Sequence, residues 1–256
     1  VMQGSLKDLF KVLIQMGKAK KHIKRLQENG YDIKNVLEII QNDNDTNTIV
    51  YTSPEFQPYS DTFSDRYVFV GPSIRPTNEV FEKTREKLVY ISMGTVNNDM
   101  TVFYKNCIDA FKDSDYQVVL SVGSQVDIRQ LEEYVIKSES KAQFQLFPYV
   151  NQIAVLEKAD AFITHCGMNS VSEALYFKVP LVMYPQTNEQ KGVAFRVNEL
   201  EAGLYLSGDS ISEIQIILKE LLQQSKYKER ATAISNSFSK CGGSQRAVEK
   251  ILDVCF

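Results

Sequence analysis

The sequence predicts an α/β fold built on a parallel sheet with helices on both faces. Three observations carry this. Apolar runs recur as short unbroken strands, among them Leu88–Met93, Gln117–Val122, Ala161–Thr164 and Val179–Tyr184, and a strand apolar at nearly every position is buried on both faces. Strands alternate with segments of helical periodicity, as the crossovers of a parallel sheet require. The clearest instance is Ala161–Asn198: a strand, a turn through His165-Cys166-Gly167, a helix from Met168 to about Phe177, a second strand, the polar loop Pro185–Gln190 and another helix. Ligands of such sheets gather at the carboxyl ends of the strands, where both polar turns fall.

In chain order, Leu9, Leu13, Met16, Ile23 and Leu26 recur at helical spacing, so Leu6–Gln27 is expected to be an amphipathic helix. Lys18, Lys20, Lys21, Lys24 and Arg25 crowd its second half and read as a solvated face rather than a membrane-surface patch. A short helix, Asp32–Gln41, and two strands, Thr48–Thr52 and Tyr67–Val70, follow, the strands separated by a loop holding Pro54 and Pro58. Leu88–Met93 ends in the turn Gly94-Thr95, where Thr95 suits a helix cap. Next come a helix (Val102–Phe111), a strand (Gln117–Val122), a helix (Ile128–Lys137) and a strand (Phe144–Phe147). After the central stretch, Gly203–Leu206 is the last strand, Ile211–Gln223 and Lys226–Phe238 are helices, and Gly242-Gly243 precedes a closing helix, Ser244–Val254.

The 256 residues allow one large domain or two small ones. A net charge of −3 gives no electrostatic argument for nucleic acid. No apolar run approaches the roughly 20 residues of a membrane span, so membrane association is permitted but not indicated. The dispersed Cys107, Cys166, Cys241 and Cys255 form no CxxC pair and fit reduced thiols in a cytoplasmic protein. The chain opens on Val1 rather than Met, so its natural start is expected upstream. Asp113-Ser114-Asp115 has a metal-binding spacing but precedes a strand, at the wrong sheet edge, and reads as a surface turn; no metal is expected.

The turn at Gly167 suits a pyrophosphate. Gly167 lacks a Cβ, so backbone can approach a ligand closely, and the free N–H groups where the helix begins at Met168 attract anionic oxygens. Asn169 and Ser170 add donors, His165 places an imidazole at the strand tip, and Glu173 can accept from a ribose diol. Glu189 and Gln190 face them across the cleft and can bind sugar hydroxyls. A blander reading stands beside this one: Ser170-x-x-Glu173 is also a capping-box pattern, and a strand-end histidine is often structural. The adjacent His165-Cys166 does not suggest a nucleophile, because neighbours on an extended chain point opposite ways.

The stretch Phe162-Ile163-Thr164-His165-Cys166-Gly167-Met168-Asn169-Ser170, then Glu173-Ala174-Leu175, Val179-Pro180-Leu181-Val182, Pro185-Gln186 and Glu189-Gln190 resembles the signature of the nucleotide-sugar glycosyltransferases that include macrolide, plant secondary-metabolite and UDP-glucuronosyl transferases. The likeness is nearest to the bacterial macrolide branch and extends more loosely from Val68 to the C-terminus. It implies a GT-B architecture: a Rossmann-like donor domain over residues 88–256, a linker over 73–87, and over 1–72 the end of an acceptor-binding domain. It further implies a UDP-sugar donor bound without a metal or other cofactor. Gly94 and Thr95 would face the diphosphate. Tyr149, in place of the family's Trp, would stack on uracil, with Val150, Gln152 and nearby backbone holding the base. Asn151 replaces a family Pro and is expected to loosen that loop; Phe147-Pro148 is the alternative source of the aromatic.

The implied reaction is inverting transfer of a hexose, glucose from UDP-glucose, to a hydroxyl of a small apolar acceptor; Gln190 matches the glucose-associated position of plant relatives. The family's catalytic base, a histidine near the N-terminus held by an aspartate, is expected in a part not present here, since His22 matches no such motif. The isolated chain is therefore expected to be inactive in transfer. Two alternatives remain: a donor subunit needing a separate acceptor subunit, and a non-catalytic or epimerase-like UDP-sugar binding protein.

Overall fold

The computed structural model describes residues 19–35, 38, 46–94 and 100–255, the side chain of Cys255 excepted. The chain divides into two compact units, residues 1–48 with 64–67 and residues 49–63 with 68–256. In the smaller unit residues 19–28 are helical; the earlier part of the expected Leu6–Gln27 helix lies outside the described residues. So does most of the expected second helix, and residues 31–34, where it would begin, carry no regular structure. Strands β1 (Thr48–Val50) and β2 (Tyr67–Phe69) form a two-stranded sheet.

The larger unit carries the six-stranded sheet: β3 (Leu88–Ser92), β4 (Gln117–Ser121), β5 (Gln143–Phe147), β6 (Ala161–Thr164), β7 (Leu181–Met183) and β8 (Gly203–Tyr205). Its order is β5-β4-β3-β6-β7-β8, and every neighbouring pair is parallel. The helices are α1 (Thr101–Phe111), α2 (Ile128–Lys137), α3 (Gln152–Leu156), α4 (Met168–Tyr176), α5 (Asn188–Glu199), α6 (Ile211–Gln223), α7 (Ser225–Lys240) and α8 (Gly243–Cys255). The five-residue α3 has no counterpart among the helices expected from the sequence.

Both faces of the sheet are covered, which is why its strands read as continuous apolar runs. Successive side chains on a strand point to opposite faces. Val89 and Ile91 of β3 therefore pack with Phe103, Leu131 and Leu218 on one face, while Leu88 and Tyr90 pack with Phe162, Leu175 and Phe238 on the other. At about 1.5–3 kcal/mol for each large apolar side chain taken from water, these two layers hold the sheet. From β3 the order runs to β4 and β5 on one side and to β6, β7 and β8 on the other. Connections leaving β3 and β6 thus depart to opposite sides, opening a crevice at their carboxyl ends.

Candidate functional site

That crevice is a cavity of about 740 Å³, comparable with small-ligand sites. It is walled by the ends of β3 and β4, the loop after β5, the turn from β6 into α4, and the loop from β7 into α5. Twelve of the thirteen expected contact residues line it: Gly94, Tyr149, Val150, Gln152, His165, Gly167, Met168, Asn169, Ser170, Glu173, Glu189 and Gln190. The thirteenth, Thr95, lies outside the described residues.

Gly167 is the N-cap of α4, and no side chain closes that end. The first-turn amides are left for an anion, and Ser170-x-x-Glu173 is not a capping box. Glycine at 167 also answers a need within the protein itself. A Cβ built on Gly167 would lie 2.8 Å from His165 Nε2, and one on Gly94 would lie 2.7 Å from His165 Cε1. The close approach that both glycines permit is that of the imidazole, packed between the ends of β3 and β6.

Burial lowers the His165 pKa below the ordinary histidine value, against smaller upward pulls from the Ser92 carbonyl and Glu189. The Ser92 carbonyl falls short of full hydrogen-bond geometry, since Nδ1 is buried without a partner. The ring is thus a neutral group at neutral pH. Its neighbour Cys166 is fully buried, and burial pushes the thiol up to about 12. The backbone there is not extended: Cys166 sits at φ 67, in the left-handed region, and this turn sends its side chain into the core.

The loop after β5 is built around Asn151 and Gln152. Asn151 caps α3, accepting from the Ala154 amide at 3.3 Å, and donates to Thr77 Oγ1 at 2.8 Å. The expected loosening by Asn in place of Pro is therefore corrected: the side chain ties this loop at both ends. Gln152 Nε2 donates to Glu173 Oε2 and, at 3.4 Å, to Ser170 Oγ. Tyr149 is 59% exposed at the cavity mouth, whereas Phe147 packs edge-on against Phe81 with centroids 6.5 Å apart. Of the two aromatics weighed from sequence, Tyr149 is the one open to a ligand.

The capping box is found at the other turn. Thr187 Oγ1 accepts from the Gln190 amide at 3.3 Å, and Gln190 Oε1 accepts from the Gln186 and Thr187 amides at 2.7 and 3.1 Å. The Gln190 side-chain carbonyl is thus engaged in starting α5, while Glu189 is exposed at the cavity edge.

Tyr90, Ser92 and Ser121 also line the cavity and escaped the sequence reading. They lie inside or at the ends of strands that look purely structural, and only the pairing of β4 with β3 and β3 with β6 brings them under the turns. Asp113 and Asp115 lie in the turn before β4, with Asp115 paired to Lys141 at 2.7 Å. Among the described residues no cluster of His, Cys, Asp and Glu could hold a metal ion, and no helix is long and apolar enough to cross a membrane.

A family model described as UDP-glucoronosyl and UDP-glucosyl transferase matches residues 76–240. The chain is 38% identical over 229 residues to the uncharacterized UDP-glucosyltransferase YojK of Bacillus subtilis (strain 168), covering 87% of this chain and 55% of the relative. To the NDP-glycosyltransferase YjiC of the same organism it is 39% identical over 209 residues, covering 79% and 52% respectively. The crystal structure of the glycotransferase of kitacinnamycin superposes with a TM-score of 0.80 at 25% identity, over 96% of this chain and 66% of that one. The chain spans about half the length of the two Bacillus relatives.

Proposed function

The chain belongs to the UDP-glucoronosyl and UDP-glucosyl transferase family, and from that premise we propose that it forms the donor-binding part of a glycosyltransferase that takes a UDP-sugar without a metal ion. In this reading residues 88–256 are the donor domain, 73–87 the linker and 1–72 the end of an acceptor-binding domain. The observation that carries it is the uncapped first turn of α4, facing one cavity together with His165 and Glu173.

The diphosphate lies against the first-turn amides, with Asn169 and Ser170 beside them and the helix dipole favouring its charge. His165, neutral, supplies a hydrogen bond there. Glu173 accepts from the ribose diol, Tyr149 offers its face to the uracil ring, and Glu189 lies toward the sugar hydroxyls. Glucose as the sugar is supported by the name of the YojK relative. The receiver in this reading is a hydroxyl of a small apolar acceptor. Its oxygen bonds to the anomeric carbon from the face opposite the departing diphosphate, its proton passing to a base. The charge released onto the diphosphate is what the α4 amides stabilise. The base belongs, in this proposal, to residues outside the described ones.

Calorimetric titration with UDP, UDP-glucose, UDP-N-acetylglucosamine and UDP-glucuronate, in the presence of EDTA, tests the reading. Saturable UDP binding with UDP-glucose preferred among the sugars is expected. A folded chain that binds none of them overturns it.

A further inference from the structure

Tyr90 belongs to no ligand-binding motif, yet it stands beneath the cavity at the head of a chain of contacts. Its ring lies flat on that of Phe162, with centroids 4.7 Å and planes 12° apart, and only 1% of the residue is exposed. The hydroxyl donates to Gln152 Oε1 at 3.3 Å. The other end of the same amide, Nε2, donates to Glu173 Oε2 and to Ser170 Oγ.

The direction of this chain is fixed from the carboxylate end. The Gln152 amide turns its nitrogen, a donor only, to the Glu173 carboxyl oxygen and its oxygen, an acceptor only, to the Tyr90 hydroxyl. The tyrosine hydroxyl, held by its stacked ring, satisfies the oxygen and opposes a flip of the amide. Glu173 is thereby held by one oxygen, with the other left to accept.

We propose that Tyr90 and Gln152 brace Glu173 as positioning residues, and that through it they set the preference of the site for a ribonucleotide over its 2′-deoxy counterpart. The proposal rests on the donor-site reading above. A diol bonded to a carboxylate already held in place avoids the ordering cost of a free glutamate side chain. Removing the 2′-hydroxyl then costs one hydrogen bond to a charged group, about tenfold in affinity.

The test is titration of the wild type, Tyr90→Phe, Gln152→Leu and the double variant with UDP, 2′-deoxy-UDP and CDP, alongside thermal melts. The wild type is expected to favour UDP over 2′-deoxy-UDP about tenfold. Gln152→Leu should narrow this to about twofold and Tyr90→Phe part of the way, the double variant going no further than Gln152→Leu because the two act in series. The preference for UDP over CDP should hold throughout, a pattern that general loosening of the fold does not produce.

Folded variants that keep the wild-type ribose preference overturn the proposal. So does loss of the UDP-over-CDP preference in Gln152→Leu, which would make Gln152 a reader of the base, and so does simple additivity of the two substitutions. Should Tyr90→Phe fail to fold, the half-buried Gln152→Leu decides alone. A wild type that binds UDP and 2′-deoxy-UDP equally removes the ribose contact while leaving the donor site standing. A wild type that binds no nucleotide overturns the donor-site reading, and the brace falls with it.

Discussion

His165 fills the space that a side chain at Gly94 would need: a Cβ there would lie 2.7 Å from Cε1 of the imidazole. The same ring crowds the Cβ position of Gly167. One glycine follows β3 and the other follows β6, so the histidine is wedged between the two strand ends where the sheet order reverses. Its place beside the α4 amides is set by packing, since Nδ1 has no partner.

The two glycines should therefore respond differently to alanine. Gly167 has φ −61, which any residue adopts, so Gly167→Ala acts only by pushing the ring toward the open cavity. UDP affinity should fall about tenfold while stability drops by less than about 1 kcal/mol. Gly94 has φ 83, so Gly94→Ala adds left-handed backbone strain of about 1–2 kcal/mol. Urea denaturation and calorimetry on both variants separate these effects; unchanged UDP affinity in Gly167→Ala contradicts the wedge.

The lowered His165 pKa makes a signed prediction. Between the folded pKa and the ordinary value of 6.5, the unfolded chain binds more protons than the folded one, so stability rises with pH across that window. The contribution is fully present above the unfolded value and is lost as pH falls through the window. Denaturation of wild type and His165→Gln from pH 5 to pH 8 should show curves that converge toward the acid end. A constant gap between them would mean that His165 does not titrate differently on folding.

The sheet was legible because burial on both faces leaves unbroken runs such as Val118-Val119-Leu120, and because His165-Cys166-Gly167 interrupts one sharply. The helix bounds of α2 and α6 agree with the expectation for the same kind of reason, a clear apolar stripe with polar flanks. What sequence could not convey is which strand lies beside which. Tyr90, Ser92 and Ser121 reach the cavity only through strand pairing, and the partners of Gln152 and Asn151, at Glu173 and Thr77, are 21 and 74 residues away. Local spacing fits a capping box at both Ser170-x-x-Glu173 and Thr187-x-x-Gln190; the box stands at the second, because α4 already begins at Met168 with Gly167 as its N-cap, which leaves Ser170 inside the first turn.

That box gives a third prediction. Thr187→Ala removes the acceptor for the Gln190 amide, and Gln190→Ala frees the Gln186 and Thr187 amides; each should cost about 0.5–2 kcal/mol. Because the two side chains close one motif, the double variant should lose less than the sum. Chemical denaturation measures all three, and strict additivity would mean that the two caps act independently.

The cysteines should be inert. Cys107, Cys166 and Cys241 are buried, and burial raises the pKa of each, that of Cys166 to about 12. The thiolate is the reactive form, so N-ethylmaleimide at pH 8 should leave all three unmodified in a folded Cys255→Ser chain and label them in guanidinium. Peptide mass spectrometry reads the sites. Rapid labelling of Cys166 in the folded chain would show that the left-handed turn opens and exposes the thiol.

Asn151 offers the sharpest comparison, because the position would be Pro in the pattern the sequence resembles. Its φ of −66 is one that proline adopts, so Asn151→Pro meets no backbone conflict at that residue. What it loses is the cap on Ala154 and the bond to Thr77, as does Asn151→Ala. Both should cost about 1 kcal/mol, with proline recovering part of its loss by restricting the unfolded chain. Asn151→Asp keeps the cap acceptor and can accept from the Thr77 hydroxyl in place of donating to it, so it should stay near wild type. Hydrogen exchange then distinguishes the roles: the amides of α3 should lose protection in the alanine variant and keep it in the aspartate one. Equal protection in both would mean that the apolar packing of α3, and not its cap, holds the loop after β5.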